Sequence, residues 1–530
     1  MTDNLAELLA GAAEQRPDQV ALVEPATGRR VTWAELDREV DRVARGLAEL
    51  GLVAGYRVVL AMTNRIELVT CYLAVLRSRL VAVPVNPRAA TGELVRMLAD
   101  CGGRLVIAGP TTLATVRQAV AGLEDALTGA APELRERTPV PRVAVLGAHP
   151  LPGETTYDAL VAEHSPSITA AGDPESLAVL LYTGGTSGVP RAAMLSHRAL
   201  LANIEQVAAV TPPMLTREDV VLGVLPLFHV YALNAVLGQV LRQQATLVVV
   251  DGFDAEGTLK VIEDESVTVL PLAPPVFAHW ARVDDLAARL AGVRLCLSGS
   301  APLAPGPVAA FTARTGIPVH QGYGLTEAAP VVTSTLCSRE PKPGSVGAPL
   351  PGVSVRLLDA TGRPVEPGDP GEIHVAGDNL FSGYWPDADG APADGWLATG
   401  DVGFQDPDGD LCLVDRVKDL VIVSGFNVYP SEVEEVLREV HAVADAAVVG
   451  VPDERTGEAV VAYVTRSPAS SLTDAEIAEA VREYCGSRLA RFKQPAAVHV
   501  VADLPHTVSG EVSRSRIRQR GRRRIAGLLE

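Results

Sequence analysis

The sequence has no excess of basic residues: 46 Lys and Arg stand against 64 Asp and Glu, a net charge of -18. That balance excludes bulk attraction to nucleic acid or to an anionic membrane and leaves anionic ligands to local sites. It also lacks paired or metal-spaced cysteines. Cys71, Cys101, Cys296, Cys337, Cys412 and Cys485 are scattered singly, which excludes a disulfide framework and points to a reducing cytoplasm. No membrane span is expected, because the most apolar stretch, 220–241, is interrupted by Pro226, His229, Asn234 and Gln239. The N-terminus has no basic leader of the signal-peptide kind, and no short-period repeat recurs.

What is present suffices for more than one core. With 530 residues and 47% hydrophobic content, the chain is expected to form a multidomain globular protein. Helical spacing over 35–50, 67–77 and 91–99 alternates with strand-like 57–61, 80–85 and 104–108. Such alternation predicts an α/β fold with a largely parallel sheet. Residues 119–141, rich in Ala, Pro and Glu, read as a surface excursion. Beyond about Leu420, strand-like 446–451, 459–464 and 497–501 accompany two helices, each headed by a capping-box pair, Ser431 with Glu434 and Thr473 with Glu476. That pattern predicts a small α+β domain.

The chain is organised around Leu181 to His197. Six positions, Thr183, Gly184, Gly185, Thr186, Ser187 and Gly188, follow the apolar strand 177–181, and Arg191 lies just beyond. Glycines let backbone N–H groups approach anionic oxygens, hydroxyls add donors, and Arg191 adds a fixed charge, so the expected ligand is a polyphosphate. A flexible linker could share this composition, but not its place between a buried strand and a second apolar segment. The spacing is not that of the Walker loop, since no glycine followed by Lys and Ser/Thr stands five positions on.

A second cluster, Gln321 to Ala329, combines Gly322 and Gly324, where a ligand can approach the backbone, with Tyr323 as a face for a purine. Leu325 adjoins Thr326, a phosphate-reaching hydroxyl, and Glu327, a hard oxygen for Mg²⁺. Any one of these fits a solvated glycine loop, but the set is poorly explained that way. Leu295 to Leu303, with Gly299, Ser300 and Ala301, reads as a strand running into a small-residue turn. His229, inside the apolar 220–230 run, is on sequence physics alone more often a packed core residue than a functional one.

These stretches resemble, in order and over essentially the whole chain, the adenylate-forming superfamily of acyl-CoA synthetases, peptide-synthetase adenylation domains and luciferases. The first motif departs from the family form at Gly184 for Ser, Arg191 for Lys and Ala192 for Gly. The resemblance implies an N-terminal domain over 1–414 holding the ATP and acyl sites, a hinge at 415–419 and a mobile lid domain over 420–530. It implies nucleotide contacts from Thr183 to Gly188, Arg191, Ser300, Ala301, Gly322 to Thr326, Asp401 on the ribose, and Arg416. Lys418 would be the hinge pivot, and Gly425 with Phe426 the CoA passage. An acyl pocket of His229, Val230, Asn234, Gly299, Gly324 and Ala328 would be roomy and apolar. Segment 226–234 is similar to that of fatty-acyl and 4-coumarate CoA ligases, and no acidic residue between Leu222 and Val250 would receive an amino-acid ammonium.

The implied activity is an ATP-dependent, Mg²⁺-assisted acid–thiol ligase forming acyl-CoA from a medium- or long-chain fatty acid. Alternatives are an aryl-propenoate ligase, acyl loading of a carrier protein, and a weak nucleotide or acyl-adenylate binder. A homodimer is compatible with any of these. At the position of the family's adenylation lysine stands Glu511, which is expected to impair adenylation. An engineered change, naturally slow chemistry, or compensation by Lys493, Arg514 or Arg516 would each account for it. The Arg-rich segment 514–524 reads as a solvated basic end.

Overall fold

The computed structural model describes residues 3–128, 135, 138–162, 172–183, 191–301, 303, 305–416, 419–423, 426–453, 456–506, 512–514 and 516–518. Two large sheets dominate. One runs in the spatial order Thr155–Thr156, Arg142–Val145, Leu105–Ala108, Arg57–Ala61, Val81–Pro84, Leu177–Thr183, Arg191–Ser196, parallel except for the last pair. The other has nine strands, with a parallel centre from Val319–Gly324 through Leu295–Ser298, Val269–Leu272, Val220–Gly223 and Thr246–Val249 to Val20–Glu24. Antiparallel strands close both of its ends.

Parallel strands need crossovers on their faces, and here helices supply them. Helix Ile66–Arg77 is buried at every position except Glu67 and packs on strands of both sheets. A helix apolar on all sides belongs in such an interior. Asn64 fastens the sheets where the site forms. Its side-chain amide donates to the carbonyls of Gly223, Leu225 and Val250 at 3.3, 2.8 and 3.2 Å, while its oxygen accepts the Leu227 N–H at 2.9 Å.

A four-stranded antiparallel meander, Ser354–Leu358, Gly371–Ala376, Leu397–Gln405 and Leu411–Arg416, follows. The last sheet pairs Phe426–Val428, Val421–Val423, Gly457–Arg466 and Val443–Asp453, with Ala497–Val501 parallel to Gly457–Arg466. Helices Pro430–Arg438 and Asp474–Arg488 complete this α+β unit. Among the described residues no helix is long and apolar enough to cross a membrane.

Two expectations are corrected. Much of the supposed surface excursion is helix Leu113–Thr128, whose Val116, Ala119 and Leu123 are buried at helical spacing. The capping box at Thr473 and Glu476 forms, but the one at Ser431 does not. Ser431 Oγ donates to the Val414 carbonyl instead, and buried Glu434 accepts the Val448 N–H at 2.8 Å. Tertiary partners outcompeted the local cap, and Pro430 opens the helix unaided.

His197 supplies a pH test of the fold. Its buried ring begins helix His197–Ala208 and accepts the Leu5 N–H at Nδ1, 3.2 Å, and burial lowers its pKa from 6.5 to about 4. Native His197 therefore resists protonation that the unfolded chain accepts. Stability is full above 6.5 and declines as pH falls toward 4. The loss amounts to about 3 kcal/mol for this group. Thermal unfolding followed across that range should be steeper for the native chain than for His197→Gln, which keeps an acceptor but cannot titrate; equal slopes would refute the assignment.

Candidate active site

The phosphate-loop candidate joins the two arms of a β-hairpin. Thr183 and Arg191 are register partners at its open end, and Thr183 Oγ1 donates to the Arg191 carbonyl at 3.4 Å. Gly184, Gly185, Thr186, Ser187 and Gly188 lie outside the described residues. Arg191 turns its guanidinium onto the Tyr384 ring, 3.8 Å from the centroid, and pairs with Asp389 at 2.5 Å.

The Tyr384 hydroxyl in turn donates to Glu327 Oε1. The expected phosphate cation and the expected metal carboxylate thus meet around a residue that sequence reading passed over. Its segment extends the hairpin edge, with Met194 N–H donating to the Gly383 carbonyl at 3.0 Å and Trp385 N–H to the Ala192 carbonyl at 2.8 Å. Gly383 has φ +97°, and a Cβ there would lie 2.4 Å from the Ala388 carbonyl. The Gly-Tyr-Trp-Pro run in a chain with only 4% aromatic residues was the available signal.

Tyr323 and Asp401 form the second constellation. Tyr323 is the penultimate residue of strand Val319–Gly324, and its hydroxyl donates to Asp401 Oδ2 at 2.7 Å. Thr399 Oγ1 accepts the Asp401 N–H at 3.1 Å, and Asp401 is the register partner of Arg416 across the meander. Three distant segments therefore converge. Only 7% of Tyr323 is exposed, so the face it offers a purine is narrow in this conformation.

Gly322 and Gly324 are explained first by the returning strand. A Cβ would stand 2.7 Å from the Thr333 carbonyl oxygen at Gly322 and 2.3 Å from that of Pro330 at Gly324. Leu325, Thr326 and Glu327 follow in a short turn, all half-buried. At the neighbouring strand end, Ser300 is exposed in the left-handed region at φ +70°, with Ala301 half-buried beside it. Such a backbone outlier is common where ligands are held.

The residues of the expected acyl pocket do not share one open surface. His229 is exposed, and the protein around it lowers its pKa by desolvation. It leads into a π-helical turn, Tyr231–Val236, a geometry frequent at functional sites. Val230 is buried behind it. Asn234 has no surface to offer: it is fully buried and donates to the carbonyls of Leu200 and Ala329 at 3.1 and 2.7 Å. Ala328 is fully buried too, and the space before Gly299 is filled by the Tyr231 ring, 3.0 Å from where a Cβ would be. The small residues answer neighbouring atoms rather than open a large void.

Lys418, Gly425 and Glu511 lie outside the described residues, and for Arg416 and Phe426 only the backbone is described. Of the three cations that could offset Glu511, Lys493 binds both oxygens of Glu432 at 2.5 and 2.7 Å. Arg514 grips Glu434 at 3.1 and 2.9 Å and reaches Asp419, leaving Arg516 exposed without an ion pair among the described residues. Arg518 pairs with Asp419 at 2.5 Å. The start of the basic tail is therefore a fastening, not a solvated end.

Among the described residues no three His, Cys, Asp or Glu side chains cluster as a metal site. The half-exposed Glu327 carboxylate, whose second oxygen is without a partner among those residues, suits a hard cation that brings phosphate oxygens as its other ligands.

Residues 9–385 match the AMP-binding enzyme family and 432–511 the AMP-binding enzyme C-terminal domain. The chain is 33% identical to 4-coumarate–CoA ligase-like 9 of Oryza sativa subsp. japonica, over 97% of this chain and 92% of the relative. It is also 33% identical to a long-chain-fatty-acid–CoA ligase of Bacillus subtilis, over 97% and 94%. The crystal structure of ATP-bound MatB from Rhodopseudomonas palustris superposes with a TM-score of 0.85 at 31% identity, covering 98% of this chain and 99% of that one.

Proposed function

This chain belongs to the AMP-binding enzyme family and is an AMP-forming acyl-CoA synthetase using ATP, Mg²⁺ and CoA, and from that premise we propose that its acid is a medium- or long-chain fatty acid. The observation that carries this reading is the segment bearing His229: no Asp or Glu occurs between Leu222 and Val250, so it offers no counter-charge to a substrate ammonium. The likeness to a long-chain-fatty-acid–CoA ligase supports it. A second reading, an aryl-propenoic acid, is favoured by Tyr231, whose ring shortens the space beside Gly299 and offers a flat apolar surface. The likeness to 4-coumarate–CoA ligases agrees with that reading.

In the proposed sequence of steps, a carboxylate oxygen attacks the α-phosphorus of ATP and the bond to pyrophosphate breaks, giving an acyl-adenylate. The CoA sulfur then attacks the acyl carbon, AMP leaves, and the thiol proton passes to solvent. Residues 183–191 would cradle the phosphates, Asp401, held by Tyr323, would receive the ribose hydroxyls, and Glu327 would hold Mg²⁺. Bound Mg²⁺ neutralises triphosphate charge. Residues 1–414 carry these groups, and 420–530 turn about 415–419 between the half-reactions.

Acyl-CoA formed from a panel of fatty and aryl-propenoic acids, resolved by mass spectrometry, tests the reading. Fatty acyl-CoA is expected. Cinnamoyl-type thioesters alone would transfer the assignment to the second reading, and adenylates released without thioester would favour a carrier protein as acceptor.

A further inference from the structure

We infer that Tyr384 is a positioning residue of the nucleotide site, its hydroxyl aiming the Glu327 carboxylate and its ring seating the Arg191 guanidinium; this rests on the roles proposed for those two residues. Arg191 and Glu327 carry opposite charges on neighbouring elements, one beginning strand Arg191–Ser196 and the other in the turn after Gly324. Unhindered, they would pair with each other and close the place where phosphate and cation belong. Tyr384 stands between them. One end of its side chain binds the carboxylate and one face carries the cation at 3.8 Å, while the exposed Asp389 carboxylate pairs with the same guanidinium.

The seat is rigid. Phe381 N–H donates to the Glu327 carbonyl at 2.9 Å, and the Phe381 ring meets the Tyr384 ring edge-on at 5.1 Å. Tyr384 N–H donates to the Asp389 carbonyl at 2.8 Å, which brings Arg191's ion-pair partner into the same small loop. Arginine suits this seat in a way lysine does not, because a planar guanidinium stacks on a ring while an ammonium presents a point charge.

Two variants separate hydroxyl from ring. Tyr384→Phe keeps the seat of Arg191 and releases Glu327; Tyr384→Leu removes both. ATP binding to the full chain is followed by calorimetry in EDTA, which gives each variant its own reference, and across a Mg²⁺ titration of Tyr384→Phe. The same variant should need about tenfold more Mg²⁺ for half-maximal enhancement of binding. Tyr384→Leu should in addition bind ATP more weakly in EDTA. A merely structural tyrosine would affect both conditions alike. Glu327→Gln run alongside tells the failures apart: if it shifts the Mg²⁺ requirement and Tyr384→Phe does not, the role of Tyr384 is overturned. If neither shifts it, the metal role of Glu327 falls and the inference with it.

Discussion

Acyl-adenylate formation should accelerate by about two to four powers of ten when Glu511 is replaced by lysine. The argument is electrostatic. Adenylation brings a substrate carboxylate to a triphosphate, and charge accumulates on the phosphate oxygens as pyrophosphate leaves. A preorganised cation there stabilises that charge, whereas a carboxylate adds repulsion, a difference of a few kcal/mol in a water-poor site. The ion pairs of Lys493 and Arg514 matter for this expectation, because both are committed to glutamates and so are poorly placed to compensate. The measurement is pyrophosphate release with saturating acid and Mg·ATP, compared with thioester formation from preformed acyl-adenylate. The first should respond strongly and the second little; equal rates of pyrophosphate release in the two proteins would mean that Glu511 is tolerated or that Arg516 substitutes for the lysine.

Arg514→Met should destabilise the C-terminal unit by about 3 kcal/mol, the usual cost of stranding a buried charge. The Glu434 side chain is 7% exposed and that of Asp419 10%, and Arg514 bridges them. Burial raises the Glu434 pKa and Arg514 opposes that rise, so without the guanidinium the carboxyl is driven further toward its neutral form. Arg438, 3.7 Å from Glu434, and Arg518 on Asp419 offset part of the loss. Hydrogen exchange in strand Val443–Asp453 reads the effect, since the Val448 N–H is held by Glu434 itself. Combining Arg514→Met with Glu434→Leu should recover most of the stability. A single variant that exchanges at the native rate would show that the network is superficial.

Asp419 is the last residue of the proposed hinge, and Arg514 and Arg518 both reach it. That connection was not visible in a run of arginines, which in isolation is only a charged segment. The strand–glycine–helix grammar of the large domain was visible. Strand Arg57–Ala61 and helix Ile66–Arg77 agree with their apolar spacing to within a residue, because burial face and backbone period are local properties. Residues 183–191 and 321–329 stand out in the sequence as proposed ligand loops, since they concentrate glycines, hydroxyls and a charge in a few positions.

What only the tertiary structure decided was partnership. Asn234 belongs to the packing of two elements rather than to a pocket wall, Gly322 and Gly324 answer the carbonyls of a returning strand, and Ser431 left its cap for a neighbouring strand. Tyr384 reaches Glu327 across 57 positions of sequence, and Arg191 reaches Asp389 across 198. By itself, then, the sequence determined the α/β architecture and the acidic residue at 511. Which side chains hold one another was determined by folding, because hydrogen bonds and ion pairs depend on distances of a few ångströms that no spacing along the chain can encode.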